Sequence, residues 1–353
     1  MPAPFSRVTS VVTRRTSKFL VQLAFLAVAA FYAGSLRADQ AQTASNHNAT
    51  RADFDQLMKE LSNWGRWGKD DQMGAVNLIT PAKRREALRA VKDGVSVSMA
   101  RRAEVEQALD NPRPIGRVMN PRRGGNPGSP PPDISGASDT YTISYHGLVH
   151  THMDAFCHRA YKGLMFNGMP MTEVTEAACN KGSIFAWKDG ILTRGVLMDI
   201  PRLKGVEYLE PGTRIYPEDL DAWVKQARLK IEPGDAVLIR TGRWALRDSK
   251  GPYDTAQLAG LYITCAKWLK EHDVAILGSD GAQDVHPSGI EGITEPIHAL
   301  SLIAMGVPIF DNLDLEAVSR EAARRNRWEF LVTASPVAVP GATGSVLNPI
   351  ATF

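Results

Sequence analysis

Cysteine is scarce in this 353-residue chain. Its three residues, Cys157, Cys179 and Cys265, are too few for a disulfide framework to stand in for a core. Cys157 is expected as a small buried side chain rather than a nucleophile. Excess charge of one sign is also missing. The formal net charge is +3, and the first 38 residues hold five basic residues (Arg7, Arg14, Arg15, Lys18, Arg37) and no acidic ones. The rest carries 36 basic against 38 acidic residues, a net of −2. That balance argues against nucleic acid or an anionic membrane surface as partner and leaves a small molecule. Neither an internal repeat nor a long low-complexity linker divides the chain.

Long apolar runs are nearly absent as well. The one that stands out, Val21 to Tyr32, is shorter than a spanning helix needs and contains Gln22. It follows Arg14-Arg15-Thr16-Ser17-Lys18-Phe19-Leu20 and precedes Ala33-Gly34-Ser35-Leu36-Arg37-Ala38. Basic segment, apolar core and small residues ending at alanine make residues 1–38 a signal peptide of twin-arginine type. The mature protein is then expected to be periplasmic or secreted, an uncleaved N-terminal anchor being the alternative. Residues 39–50 read as a solvated linker and 51–353 as one domain.

Histidine is present where it matters. Four of the eight histidines fall between Tyr145 and His158. In an extended strand, residues two apart share a face, so His150, His152 and Asp154 would project together, with His146 further back. Two imidazoles and a carboxylate suit a divalent ion, Zn²⁺ first and Mn²⁺ as the alternative, with positions left for water and substrate. His158, four residues beyond Asp154, is placed to reach back as the proton carrier.

Elsewhere the pattern is α/β. Thr80-Pro81 caps a helix from about Ala82 to Val91, stopped by Asp93-Gly94. Val95 to Met99 alternates as a strand. Gly195–Ile200, Gly234–Gly242 and Val274–Gly278 are buried strands, with helices over about 217–226 and 256–271 between them. Asp280, directly after an apolar strand, reads equally as a functional side chain or a turn cap. Residues 111–132, rich in Pro, Gly, Arg and Asn, read as a long surface loop, a lid or dimer arm. The glycine-rich tail from Pro340 reads as a C-terminal turn, with an anion nest as the functional alternative.

The segment around His152 resembles the metal-dependent cyclase family, whose signature is His-x-Gly-Thr-His-x-Asp-x-x-x-His. Thr151, His152, Asp154 and His158 match it in register. Leu148 stands where the first histidine is expected and His150 where the glycine is, so His150 is taken as the replacement ligand, with His146 the other candidate. The resemblance implies a swivelling β/β/α fold, a mixed curled sheet with outer helices, assembled as at least a homodimer. It also implies that His298 and Asp311 complete the metal and substrate site, and that Trp64 and Trp67 line the substrate pocket. The implied activity is metal-dependent hydrolysis of an amide, formamide or cyclic amide C–N bond in a small aromatic substrate. The rivals are lactone hydrolysis or cyclisation/dehydration on the same scaffold, and a non-catalytic periplasmic ligand-binding protein.

Overall fold

The computed structural model describes residue 1 and residues 47–122 and 133–353. The leader and most of the linker lie outside the described residues, as do residues 123–132. Among the described residues, the unit from His47 to Phe353 holds thirteen strands. In chain order they are β1 (Ser96–Ser98), β2 (Gly116–Arg122), β3 (Gly136–Thr142), β4 (His152–Asp154), β5 (Ile191–Asp199), β6 (Arg214–Ile215) and β7 (Ala236–Arg240). Then come β8 (Gly260–Leu261), β9 (Ile276–Ser279), β10 (Ile309–Asp311), β11 (Glu329–Ala334), β12 (Gly344–Val346) and β13 (Ile350–Thr352). Nine of them form one curled sheet in the order β1-β13-β11-β5-β7-β9-β10-β4-β12.

The centre of that sheet, β5-β7-β9-β10, is parallel and its flanks are antiparallel. The parallel part is mainly apolar, with polar residues toward the strand ends, and every residue of Ala236–Arg240 and Ile276–Ser279 is buried. Strands covered on both faces read as continuous apolar runs in this way. Helices at Pro217–Ala227, Cys265–Glu271 and Glu316–Arg325 accompany the sheet, and Trp187, Trp223, Trp244 and Phe330 fill the core. None of the described helices is long and apolar enough to cross a membrane.

Several expectations need correction. The helix foreseen over 256–271 shrinks to Cys265–Glu271, because Gly260–Leu261 pairs instead with Arg214–Ile215 as a small parallel ladder. Of the tract read as linker, only His47 to Thr50 lie among the described residues, and they touch the domain although all but Ala49 are exposed. His47 stacks on Tyr216 at 3.8 Å, Ala49 is buried with its N–H donating to the Tyr262 hydroxyl, and Thr50 caps the helix Arg51–Glu60. The stretch expected as loop holds β2, which pairs antiparallel with β3 as an exposed hairpin separate from the main sheet. Edge pairing of this kind tolerates Pro121, which a central strand would not.

Cysteine is corrected too. Cys157 and Cys179 form a disulfide, which ties the 3₁₀ turn Phe156–His158 to the following loop. Cys265 remains free and buried. The tail is no plain turn: β12 and β13 are sheet strands, and β12 pairs with β4, Gly344 opposite Asp154 and Val346 opposite His152. A Cβ on Gly344 would lie 2.6 Å from the Met153 carbonyl oxygen and 3.1 Å from the His146 ring, so the close approach needs glycine.

Candidate metal centre

Strand β4 sits between β10 and β12, all three of its residues buried. Alternation sends Met153 into the core and puts His152 and Asp154 on the other face. Register with β10 sets Asp311 opposite His152, which adds a second carboxylate. His298 comes from the four-residue helix Pro296–Ala299, whose start is held by Asp284, accepting from the N–H groups of Ile297 and His298.

The result is two overlapping donor sets: His146, His152 and Asp154; and Asp154, His298 and Asp311. Each imidazole has one nitrogen engaged away from Asp154 and Asp311 and one turned to them. His146 Nε2 lies 2.8 Å from Thr343 Oγ1, and its Nδ1 lies 3.0 Å from Asp154 Oδ1. His152 Nδ1 donates to the His150 carbonyl at 2.7 Å, and its Nε2 is 3.3 Å from Asp154 Oδ1. His298 Nδ1 is 2.8 Å from Asp284 Oδ2, and its Nε2 is 3.1 Å from Asp311 Oδ2. Fixing the tautomer from outside and presenting the other nitrogen inward is how metal-binding imidazoles are held.

Asp154 is the centre of the arrangement. Both its oxygens are buried without a hydrogen-bond partner, as is His146 Nδ1, although the two residues are in contact. Burial works against the Asp154 charge, yet the neighbouring His152, His146 and His158 hold its carboxyl well below the usual range. Burial likewise opposes charge on His152 and His298, but Asp154 and Asp311 raise the first, and Asp311 and Asp284 raise the second well above the ordinary value. Rings drawn toward protonation in a dry site mark a place short of positive charge. A divalent cation would supply it, and the donor set fits one.

His158 lies beside this group, its Nε2 3.7 Å from Asp154 Oδ2, and stacks on the His146 ring at 3.8 Å. Burial lowers its pKa to about 4, with Asp154 opposing and His146 reinforcing the shift, so the ring is neutral across ordinary pH. A cavity of about 290 Å³ opens here, with Arg159 paired to Glu295, Leu148 and Ala282 completing its walls.

His150 does not take the expected position. β4 begins at His152, so two-residue alternation does not reach back to it. The His150 ring instead lies with Nε2 3.3 Å from the Arg113 carbonyl oxygen, outside both donor sets, and His146 stands in the place foreseen for it. The bend responsible is held by Arg243, which donates to the Leu148 carbonyl and, at 2.8 Å, to Asn312 Oδ1. Asn312 Nδ2 in turn donates to the carbonyls of Gly147 and His150. His298 and Asp311 do join the cluster. Trp64 and Trp67 do not line the cavity: the Trp64 indole donates to the Ile303 carbonyl at 2.6 Å, and Trp67 packs against the core under Arg66.

Asp284, Arg159, Glu295, Thr343, Asn312 and Arg243 were not foreseen as site residues. The only signal for any of them was Asp284 and Asn312 standing within segments already rich in candidate residues.

The sequence profile of the cyclase family, described as a putative cyclase, matches residues 95–283, more than half of the chain. The chain belongs to the cyclase family. A crystal structure described as that of a novel cyclase is 32% identical, with a TM-score of 0.75, over 84% of this chain and 99% of that one. Isatin hydrolase A from Labrenzia aggregata, solved bound to benzyl benzoate, is 17% identical, with a TM-score of 0.51, over 76% and 96% of the two chains. That second likeness is one of fold. No curated protein matches the sequence. Membership places the chain among enzymes of hydrolase and cyclase type and agrees with a divalent-metal site.

Proposed function

We propose that this cyclase-family member is a metal-dependent hydrolase of an amide, formamide or cyclic amide C–N bond in a small aromatic substrate. The observation that carries this reading is the buried Asp154 carboxylate, without a hydrogen-bond donor and ringed by His146, His152, His158 and His298. His146, His152 and Asp154 would hold one ion, Zn²⁺ being the natural choice for two imidazoles and a carboxylate. Asp154, His298 and Asp311 offer a more oxygen-rich set, in which Mn²⁺ is the alternative. When bound, such an ion polarises a carbonyl and acidifies water.

The protein's own groups do the rest. His158, neutral and on the cavity wall, accepts the proton of the attacking water at a ring nitrogen and returns it to the departing nitrogen. Thr343, Asp284 and the His150 carbonyl keep the imidazoles oriented while this occurs. Arg159 and Glu295 line the same cavity and orient the polar end of the substrate. Metal analysis together with a panel of formyl amides, cyclic imides and lactones tests the reading. Turnover of formyl amides or cyclic imides that follows bound metal supports it. Turnover of lactones alone, or tight metal binding with none of the panel turned over, overturns it.

We also infer export to the periplasm or beyond. The leader pattern motivates this, and the Cys157–Cys179 disulfide supports it, since such bonds persist in oxidising compartments. Mass spectrometry of the native protein should find a terminus near Asp39. An intact Met1 would sink the inference.

A further inference from the structure

A second cavity, of about 250 Å³, adjoins the first across His146, Gly147 and Leu148, which line both. Its other walls include Leu109, Pro112, Val149, His150, Arg113 and Thr255. The two positions at which the chain departs from the signature it otherwise matches, Leu148 and His150, both lie on this cavity. Each cavity alone falls just short of the ~300–1,000 Å³ usual for small-molecule sites.

The polar groups of this second cavity are mostly spoken for. Asp110 is paired with Arg247 at 2.5 Å, and Asn111 donates to the carbonyls of Glu104 and Glu106. Arg113 donates to the His146 carbonyl at 2.8 Å. His150 differs. It is 7% exposed, its Nε2 faces the Arg113 carbonyl, and its Nδ1 is buried without a hydrogen-bond partner. A ring whose Nε2 donates to a carbonyl presents Nδ1 as an acceptor. An unmet acceptor beside Leu109, Pro112, Leu148 and Val149, in a cavity where Asp110, Asn111 and Arg113 are already engaged, asks for a ligand with an apolar body and one N–H or O–H donor.

We infer that the second cavity is a substrate subsite that takes the ring of an aromatic substrate remote from the scissile bond, with a donor group on that ring bonded to His150 Nδ1. This deepens the proposed hydrolysis by naming the substrate class: a two-part molecule, amide at the metal centre and donor-bearing ring beyond Leu148. His150 is on this account a specificity residue and not a metal ligand.

The test uses benzamide as a probe of the subsite alone and two formanilides as probes of the whole site, one with a 4-carbamoyl and one with a 4-methyl group. Metal content is measured on every variant. Wild type should bind benzamide, and both His150→Leu, which removes the acceptor, and Thr255→Trp, which fills the space from a surface loop, should weaken that binding at least tenfold with metal content kept. The preference in kcat/KM for the carbamoyl over the methyl formanilide, expected to be about tenfold or more for a buried hydrogen bond, should vanish in His150→Leu. Benzamide binding that is absent, or unaltered by either substitution, overturns the subsite even if both formanilides are hydrolysed. Loss of metal in His150→Leu would also overturn it, by returning His150 to the ligand set. If neither formanilide is hydrolysed while the benzamide pattern holds, the hydrolysis reading fails and the subsite stands.

Discussion

Asp154 and Asp280 are both almost wholly buried, and they could hardly be more different. Asp280 follows β9 and is saturated with donors. It accepts from the N–H groups of Thr241, Gly242 and Arg243 and from the Thr241 hydroxyl, at 2.8–3.3 Å. Asp154 accepts from none. Burial raises Asp280 to about 6, against the pull of the Thr241 donors and with Glu316 adding to the rise. Asp154, equally dry, stays well below the usual range because imidazoles surround it. Burial of a carboxylate is therefore not what marks a site. A carboxylate kept charged yet given no donor is, because the fold has left its lone pairs for something else.

The widest separation of the two residues should come from removing each charge in place. Asp154→Asn should lower metal stoichiometry at least tenfold and cut turnover by more than the roughly 10–100-fold typical of a supporting group near a metal. Asp280→Asn should do the reverse. Its new NH₂ confronts backbone donors, costing about 1–3 kcal/mol in denaturant unfolding, with metal stoichiometry unchanged. If Asp280→Asn sheds metal, or Asp154→Asn keeps it, the contrast breaks.

His158 sharpens the boundary of the Asp154 cluster. His158→Ala should keep its metal and fold yet lose about 10²–10⁴-fold in turnover, as measured by steady-state kinetics beside metal analysis. A variant that sheds metal would place His158 among the ligands.

Smaller is the pH effect of that ring. Its folded pKa of about 4 lies below the ordinary histidine value of 6.5, so the unfolded chain binds the extra proton first as pH falls. The stability linked to His158 is full above pH 6.5 and is lost as pH drops from there through 4. Urea unfolding of metal-free protein at pH 7.5 and 5 should show a smaller pH loss for His158→Gln than for wild type. Smallest of all, Trp64→Phe should cost about 1 kcal/mol, the worth of its bond to Ile303, and leave turnover unchanged. A change in substrate preference there would restore Trp64 to the pocket.

Local pattern carried a good part of this molecule. Apolar runs marked β5, β7 and β9, Thr80-Pro81 marked a helix start, and His152-x-Asp154 shares a face because both lie within one strand. The length of that strand was beyond reach. Whether alternation extends to His150 depends on Arg243 and Asn312, 93 and 162 residues away in sequence, which bend the backbone from Gly147 to His150 and bring His146 to Asp154 in its stead. The tail's part was hidden for the same reason. Gly344 shows its purpose only beside Met153, and Thr343 only beside His146. The Cys157–Cys179 pair, too, was invisible to a count of three cysteines, since closure depends on where a 22-residue excursion returns. Residue types and short-range periodicity are written in the chain itself. Which donors an aspartate meets is settled by long-range pairing, and that is what separates Asp154 from Asp280.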